Sequence, residues 1–192
     1  MEAIGERSDV TQRGLAKRTG VALGLANSYL RRCVRKGLVK IQQAPANRYL
    51  YNLTPQGFSE KSRLTADYLS YSFGFYRKAS ESFVLAAAHC KELGATRVAL
   101  LGVSELAEIA SLRLAECGLQ IVGVVDKACS DEAFLGMLVV AEMNDVTDAE
   151  AFILTELTEP AVALLRYRSI NPEKSIVVPS ILGIHEETET VQ

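Results

Sequence analysis

Residues 11–40 read TQRGLAKRTGVALGLANSYLRRCVRKGLVK, and this stretch decides the fold of the first part of the chain. Thr11 is suited to cap the start of a short helix, and Gly20 can adopt the positive φ of a tight turn. Over residues 22–36 apolar side chains recur at spacings of three and four, which predicts a second helix that Gly37 ends. Two helices joined by a tight glycine turn predict a helix-turn-helix.

A hairpin is predicted directly after these helices. Residues 38–42 (LVKIQ) and 48–53 (RYLYNL) are rich in residues that favour strands, and a loop-forming stretch separates them. Thr54 and Pro55 are typical of the cap and first residue of a further helix. Helix-turn-helix, hairpin and helix together predict an α+β winged helix over residues 1–66.

The charge distribution indicates which part of the chain contacts a polyanion. Residues 1–78 carry 14 Lys and Arg against 5 Asp and Glu, a net charge of +9, whereas residues 79–192 carry 7 against 18, a net charge of −11. Double-stranded DNA is therefore the expected partner of the first part, although a solvated basic surface without a partner is the alternative. The residues expected to contact DNA are Gln12, Arg13, Asn27, Ser28, Arg31, Arg32, Arg35 and Arg48.

Residues 10–65 resemble the MarR-like winged-helix regulators, and most closely the group associated with exopolysaccharide gene clusters. The resemblance rests on the 11–40 stretch and on the ending RYLYNLTPQGFSEKSRLT. It implies a dimeric DNA-binding transcription regulator with residues 22–36 as recognition helix and the 42–48 loop as wing. Two features depart from the family. Ala22 and Leu25 replace the usual Ser and Lys, and only ten residues precede Thr11, so the first helix is short or the native start is longer.

Residues 67–94 are expected to connect two domains through a helix, with a break at Gly74. Residues 68–76 (YLSYSFGFY) hold five aromatic side chains, which are costly to leave in water. We expect them to pack between domains or across the two-fold axis of a homodimer, with a nucleic-acid stacking surface as the alternative.

Residues 95–184 alternate strand-like and helix-like segments, which predicts an α/β domain. Unbroken apolar strands between helices indicate a small Rossmann-like parallel sheet of four or five strands. Residues 185–192 (HEETETVQ) are expected to be a disordered tail. The predicted strands are 97–101, 119–125, 137–140, 151–154 and 175–178, and the predicted helices are 105–117 and 159–168.

Residues 98–110 (VALLGVSELAEIA) resemble a damaged dinucleotide fingerprint, G-x-G-x-x-G, of which one glycine survives. Asp126, 24 residues after Gly102, has the spacing of an acid that holds a ribose. Ser104 would instead cap the helix start, and the negative charges of Glu105 and Glu108 would repel a phosphate. The tentative ligand site consists of Gly102, Ser104, Glu105 and Asp126. A dinucleotide, another small effector such as a nucleotide or nucleotide-sugar, and a purely structural domain all stay open, and no cofactor is required.

A winged helix followed by a Rossmann-like domain is similar in architecture to the redox-sensing Rex repressors, but the incomplete fingerprint does not carry NAD sensing over. The segment also looks like the Rossmann pieces of sugar-modifying enzymes. Because no nucleophile–base pair or carboxylate cluster can be recognised, we expect no enzymatic activity. The alternatives are an enzyme-like nucleotide-binding protein and a ligand-free scaffold that recruits a protein partner.

Composition excludes several further classes. No apolar run approaches the 18 residues of a membrane span, and the start lacks the apolar core of a signal peptide, so we expect a cytoplasmic protein without membrane contact. Four separated cysteines and two histidines predict reduced thiols and no metal site.

Overall fold

The computed structural model describes residues 4–5, 11–44 and 48–184, except for the side chains of Ala44 and Arg48. The predicted tail at 185–192 and most of the predicted wing tip lie outside these residues. Backbone contacts divide the chain into two compact units, Met1–Ser72 and Phe73–Gln192.

The first unit begins with the two predicted helices. Helix α1 is Gln12–Thr19 and helix α2 is Leu23–Arg35. Thr11 Oγ1 accepts the Gly14 N–H at 3.0 Å, and Gly20 takes φ 66° after α1, so both terminal predictions are confirmed. Ala22 precedes α2 without a side-chain cap.

A hairpin completes this unit. Strands β1 (Val39–Ala44) and β2 (Arg48–Leu53) pair antiparallel, and helix α3 (Pro55–Glu92) starts where Thr54 Oγ1 accepts the Gly57 N–H at 3.0 Å. The small core of the unit joins helices α1 and α2 to strands β1 and β2 because each of these four elements contributes an apolar side chain to it. Its buried members are Ile4, Leu15, Leu30, Val39 and Tyr51.

Helix α3 is continuous through Gly74, so the predicted break there is wrong. A glycine inside a helix costs about 1 kcal/mol relative to alanine, which a helix of 38 residues can absorb through its other contacts. Beyond Gly74 its inward side chains, among them Phe83 and Cys90, are fully buried in the second unit. Burial raises the pKa of the Cys90 thiol to about 11, which keeps it protonated and unreactive at neutral pH.

The second unit is a sheet with helices on both faces. The helices are α4 (Glu105–Glu116) and α5 (Pro160–Ile170). The strands are β3 (Arg97–Leu101), β4 (Gln120–Val125), β5 (Ala133–Phe134), β6 (Met137–Val140), β7 (Ala151–Leu154) and β8 (Ile176–Val177).

The described strands form one sheet of six in the order β5-β6-β4-β3-β7-β8. Strands β6, β4, β3, β7 and β8 are parallel, and β5 pairs antiparallel with β6. The prediction of four or five strands is therefore one or two strands short. A tight turn at Leu135 and Gly136, with φ of 51° and 78°, makes a hairpin of β5 and β6, and Leu is an unusual residue for such a turn.

The central strand β3 separates two apolar layers. Residues 98–101 alternate between them and are completely buried, as expected of a parallel strand that is covered on both faces. Helix α4 and the second part of α3 cover one face, and α5 covers the other. The chain leaves β3 towards β4 and later returns to its other side with β7. This reversal opens a crevice at the carboxyl ends of the strands.

Candidate nucleic-acid interface and a second candidate site

The exposed face of α2 carries four of the eight residues that the sequence predicts to contact DNA. Leu30 is buried on the opposite face, and Ala26, Cys33 and Val34 are half-buried there. Ser28, Arg31, Arg32 and Arg35 are all exposed. The periodicity of α2 therefore separates a core-facing stripe from a basic outer stripe.

An open groove of about 840 Å³ runs between α2 and β1. Arg31 and Arg35 lie on one side of it and Ile41 of β1 on the other. Gln12 closes one end, where its Nε2 donates a hydrogen bond of 3.1 Å to Tyr51 Oη. Two guanidinium groups beside an open groove suit a phosphate backbone.

Asn27 is placed differently from the prediction that it reaches out from the exposed face. It is half-buried at the edge of the groove. Its Oδ1 is buried and has no hydrogen-bond partner among the described residues. Asn27 lies three residues before Leu30, about 60° from it around α2, so it belongs to the edge of the apolar stripe.

Two further predicted DNA contacts lie apart from the groove. Arg13 is exposed near the start of α1, and Arg32 points from α2 without lining the groove. Arg48 begins β2, and its side chain lies outside the described residues.

Residues 1–40 match the winged helix-turn-helix DNA-binding family. The match spans α1, α2 and the start of β1, and the β1–β2 hairpin follows as a wing. The first unit therefore carries a winged helix-turn-helix DNA-binding domain, which supports a DNA-binding transcription regulator. The match leaves the second unit unassigned, and no curated protein matches the chain.

A second candidate site is the crevice of about 400 Å³ at the carboxyl ends of the strands. Of the four predicted ligand residues only Asp126 lines it, beside Val103. The other lining side chains that carry charge are Glu156, Glu159 and Arg166, none of which was predicted. They follow β7, which the reversal of strand order brings next to β3, and a sequence pattern does not show that neighbourhood.

The carboxylate of Asp126 accepts hydrogen bonds from three backbone N–H groups. Its Oδ2 accepts the Val103 N–H at 2.9 Å, and its Oδ1 accepts those of Ala128 and Cys129 at 2.8 and 3.1 Å. The carboxylate of Asp126 therefore holds the turn after β3 and the loop after β4 together.

The turn at Gly102, directly after β3, packs tightly against the backbone of Glu156. Gly102 has φ 104°, and a Cβ on it would lie 2.9 Å from Glu156 Cα and N. Ser104 Oγ caps α4 by accepting the Leu106 and Ala107 N–H groups, and it donates to Thr155 O at 2.6 Å. The predicted cap is confirmed, and it uses the amides that a phosphate would need.

The phenol of Tyr167 in α5 is buried. Burial is the main cause that raises the pKa of the Tyr167 phenol, and the Asp126 and Glu156 charges add to it. Tyr167 therefore stays protonated and donates to Val125 O at 3.5 Å.

Other classes of site are missing from the described residues. No group of three or more His, Cys, Asp or Glu residues is placed to hold a metal ion in residues 4–5, 11–44 and 48–184. Within the same ranges no helix is long and apolar enough to cross a membrane.

Proposed function

We propose that this chain is a sequence-specific transcription regulator of the MarR-like kind, without enzymatic activity, that binds DNA as a homodimer. The observation that carries the proposal is the exposed basic face of α2, next to the groove and wing of a winged helix-turn-helix unit. Helix α2 is the recognition helix, and Arg31, Arg32 and Arg35 supply contacts to phosphates or bases. The resemblance to the exopolysaccharide-associated group makes polysaccharide or cell-surface genes the proposed targets.

A stripe on α3 supports the homodimer. Leu64, Tyr68, Tyr71 and Phe75 follow one another at spacings of four, three and four, the pattern of a helix–helix seam. Tyr68 and Tyr71 are 70% and 79% exposed in the single chain. We propose that a second copy of α3 covers this stripe, because a two-fold dimer would present two recognition helices to two half-sites.

Selection from a pool of random DNA duplexes with the whole chain tests this proposal. A dimeric regulator is expected to enrich a two-fold symmetric sequence, with half-sites about one helical turn apart and bound at least about 1,000-fold more tightly than unrelated duplex. Enrichment of a single, unrepeated half-site would contradict the dimer. Binding that selects no sequence would contradict the regulator.

The second unit is proposed as a Rossmann-like effector domain. The order β6-β4-β3-β7-β8 supports this, because a ligand in such a sheet binds where the chain reverses direction, between β3 and β7. The crevice there combines Glu156 and Glu159 with Arg166, which favours a small effector with both donor and acceptor groups over a bare phosphate. An effector would act by binding the DNA-competent and incompetent states with different affinity.

A thermal-shift series with nucleotides, nucleotide-sugars and NAD(H) tests the effector proposal. A ligand of the crevice is expected to raise the melting temperature of the wild type but not of Val162→Trp, since Val162 lines the crevice and is 59% exposed. An equal shift in both proteins would place the ligand elsewhere. No shift at saturating concentrations would favour a structural domain.

A further inference from the structure

The first turn of α2 has no polar side chain on its outer face. Recognition helices contact base edges mainly with the residues near their N-terminus. In α2 those residues are Leu23, Gly24 and Leu25, and the first outward polar side chain is Ser28, almost one turn later. Hydrogen-bonding readout by side chains is therefore not available at the end of α2 that enters a groove most deeply.

Leu25 shares the outer face with the basic residues. At 100° per residue it lies about 60° from Ser28 and within about 20° of Arg32, and it is roughly opposite Leu30. Its side chain is 46% exposed, whereas Leu30 is buried in the core. The nearest large side chain on this face is Tyr29, one turn later, and it is itself 56% exposed, so packing among the described residues of the first unit does not bury Leu25.

The major groove presents one apolar group to a reading side chain, the C5-methyl of thymine. A leucine side chain gains from covering this methyl and loses when it desolvates the polar edge of another base. We propose that Leu25 is a specificity-determining residue that contacts a thymine methyl in each half-site, which rests on the proposed DNA-binding function. In this arrangement Arg32, two turns later on the same face, holds a phosphate that fixes the position of Leu25.

The duplex selected with the whole chain provides the probe. Each thymine in it is replaced singly by deoxyuracil, which removes the methyl and leaves base pairing unchanged. For the wild type, the substitution of one particular thymine in each half-site is expected to lower the affinity about fourfold. This factor corresponds to the free energy of burying one methyl group. Leu25→Ala is expected to bind the thymine and deoxyuracil duplexes equally well.

Leu23→Ala is the matched control because it removes the same side chain from the same turn. Leu23 points about 160° away from Leu25 around the helix, so this variant is expected to keep the fourfold difference. Circular dichroism and an unchanged salt dependence of binding show that Leu25→Ala is folded and still contacts phosphates, since no charge is lost.

The outcomes separate this inference from the proposed function. Failure of the chain to select any sequence overturns both. Selection of a sequence whose affinity is insensitive to every deoxyuracil, or equal sensitivity in Leu25→Ala and wild type, overturns the thymine contact and leaves the regulator intact. Loss of dimerisation in Leu25→Ala would instead mean that the Leu25 side chain contacts the second copy of the chain rather than a thymine.

Discussion

The backbone N–H of Val103 donates to Asp126 Oδ2 at 2.9 Å and so ties the turn after β3 to the loop after β4. The side chain of Asp126 thus accepts a hydrogen bond from a backbone amide of this turn. In a dinucleotide-binding fingerprint the amides of the corresponding turn donate to a phosphate. Asp126 was predicted to hold a ribose from its distance in sequence to Gly102. The same distance is explained by a structural hydrogen bond between neighbouring parallel strands.

Asp126→Asn is expected to lower the free energy of unfolding of the second unit by about 1–3 kcal/mol. If the amide oxygen serves Ala128 and Cys129, its NH₂ group faces the Val103 N–H and leaves a donor without an acceptor. Urea denaturation measures the change, with the exposed Asp131→Asn as control. Unchanged stability combined with weaker nucleotide binding would restore the ribose role.

Gly102→Ala is expected to destabilise the second unit far more than Gly118→Ala. Both glycines have positive φ, 104° and 78°, but a Cβ at Gly118 meets no described atom within 4 Å, whereas at Gly102 it would lie 2.9 Å from the Glu156 backbone. We expect about 1 kcal/mol for Gly118→Ala and at least about 2 kcal/mol more for Gly102→Ala. Equal losses in urea denaturation would mean that the approach of Glu156 does not constrain the turn.

Glu150 makes stability depend on pH in the acid range. Backbone N–H groups of Thr96 and Arg97 donate to its Oε2 at 2.7 and 2.9 Å and lower its pKa to about 2. Because the folded pKa lies below the unfolded value, the stabilisation is complete above pH 4.5 and is lost as the pH falls from 4.5 towards 2. The stability difference between wild type and Glu150→Gln should shrink over that window. A difference that stays constant from pH 6 to 2 would contradict this role.

The homodimer is expected to dissociate when polar side chains replace the α3 stripe. The double variant Tyr68→Ser with Tyr71→Ser should sediment as a monomer at concentrations where the wild type is a dimer, since two large apolar contacts are lost. Leu112→Ser is the control, because Leu112 of α4 is 50% exposed and is not a member of the stripe. A dimer that persists in the double variant would place its interface on another surface.

The sequence predicted those parts of the fold that depend on interactions between residues close together in the chain. The bounds of β6 and β7 agree with the prediction, and Thr11 and Ser104 cap helices as expected. Each depends on residues that are close in sequence. Strand β5 was missed because its two residues are defined only by pairing with β6.

The candidate sites were predictable to different degrees for the same reason. The basic face of α2 follows from helical spacing, so the exposure of Ser28 and the arginines was predictable, whereas Asn27, at the edge of the apolar stripe, is half-buried. The crevice depends on which strands become neighbours. Glu156 and Arg166 reach it only because β7 pairs with β3, and a single sequence does not reveal that pairing.

The salt dependence of DNA binding tests the central claim, that the basic face of α2 contacts the phosphate backbone, most directly. Fluorescence anisotropy of a labelled duplex, titrated with the whole chain over a series of salt concentrations, gives the slope of log affinity against log salt. The double variant Arg31→Ala with Arg32→Ala is expected to bind more weakly and to reduce this slope by about 2, one for each lost phosphate contact. The variant Arg77→Ala with Lys78→Ala removes the same charge from α3 and should keep the wild-type slope. If the Arg31/Arg32 variant instead binds with wild-type affinity and slope, α2 is not the DNA-contacting helix and the account is wrong.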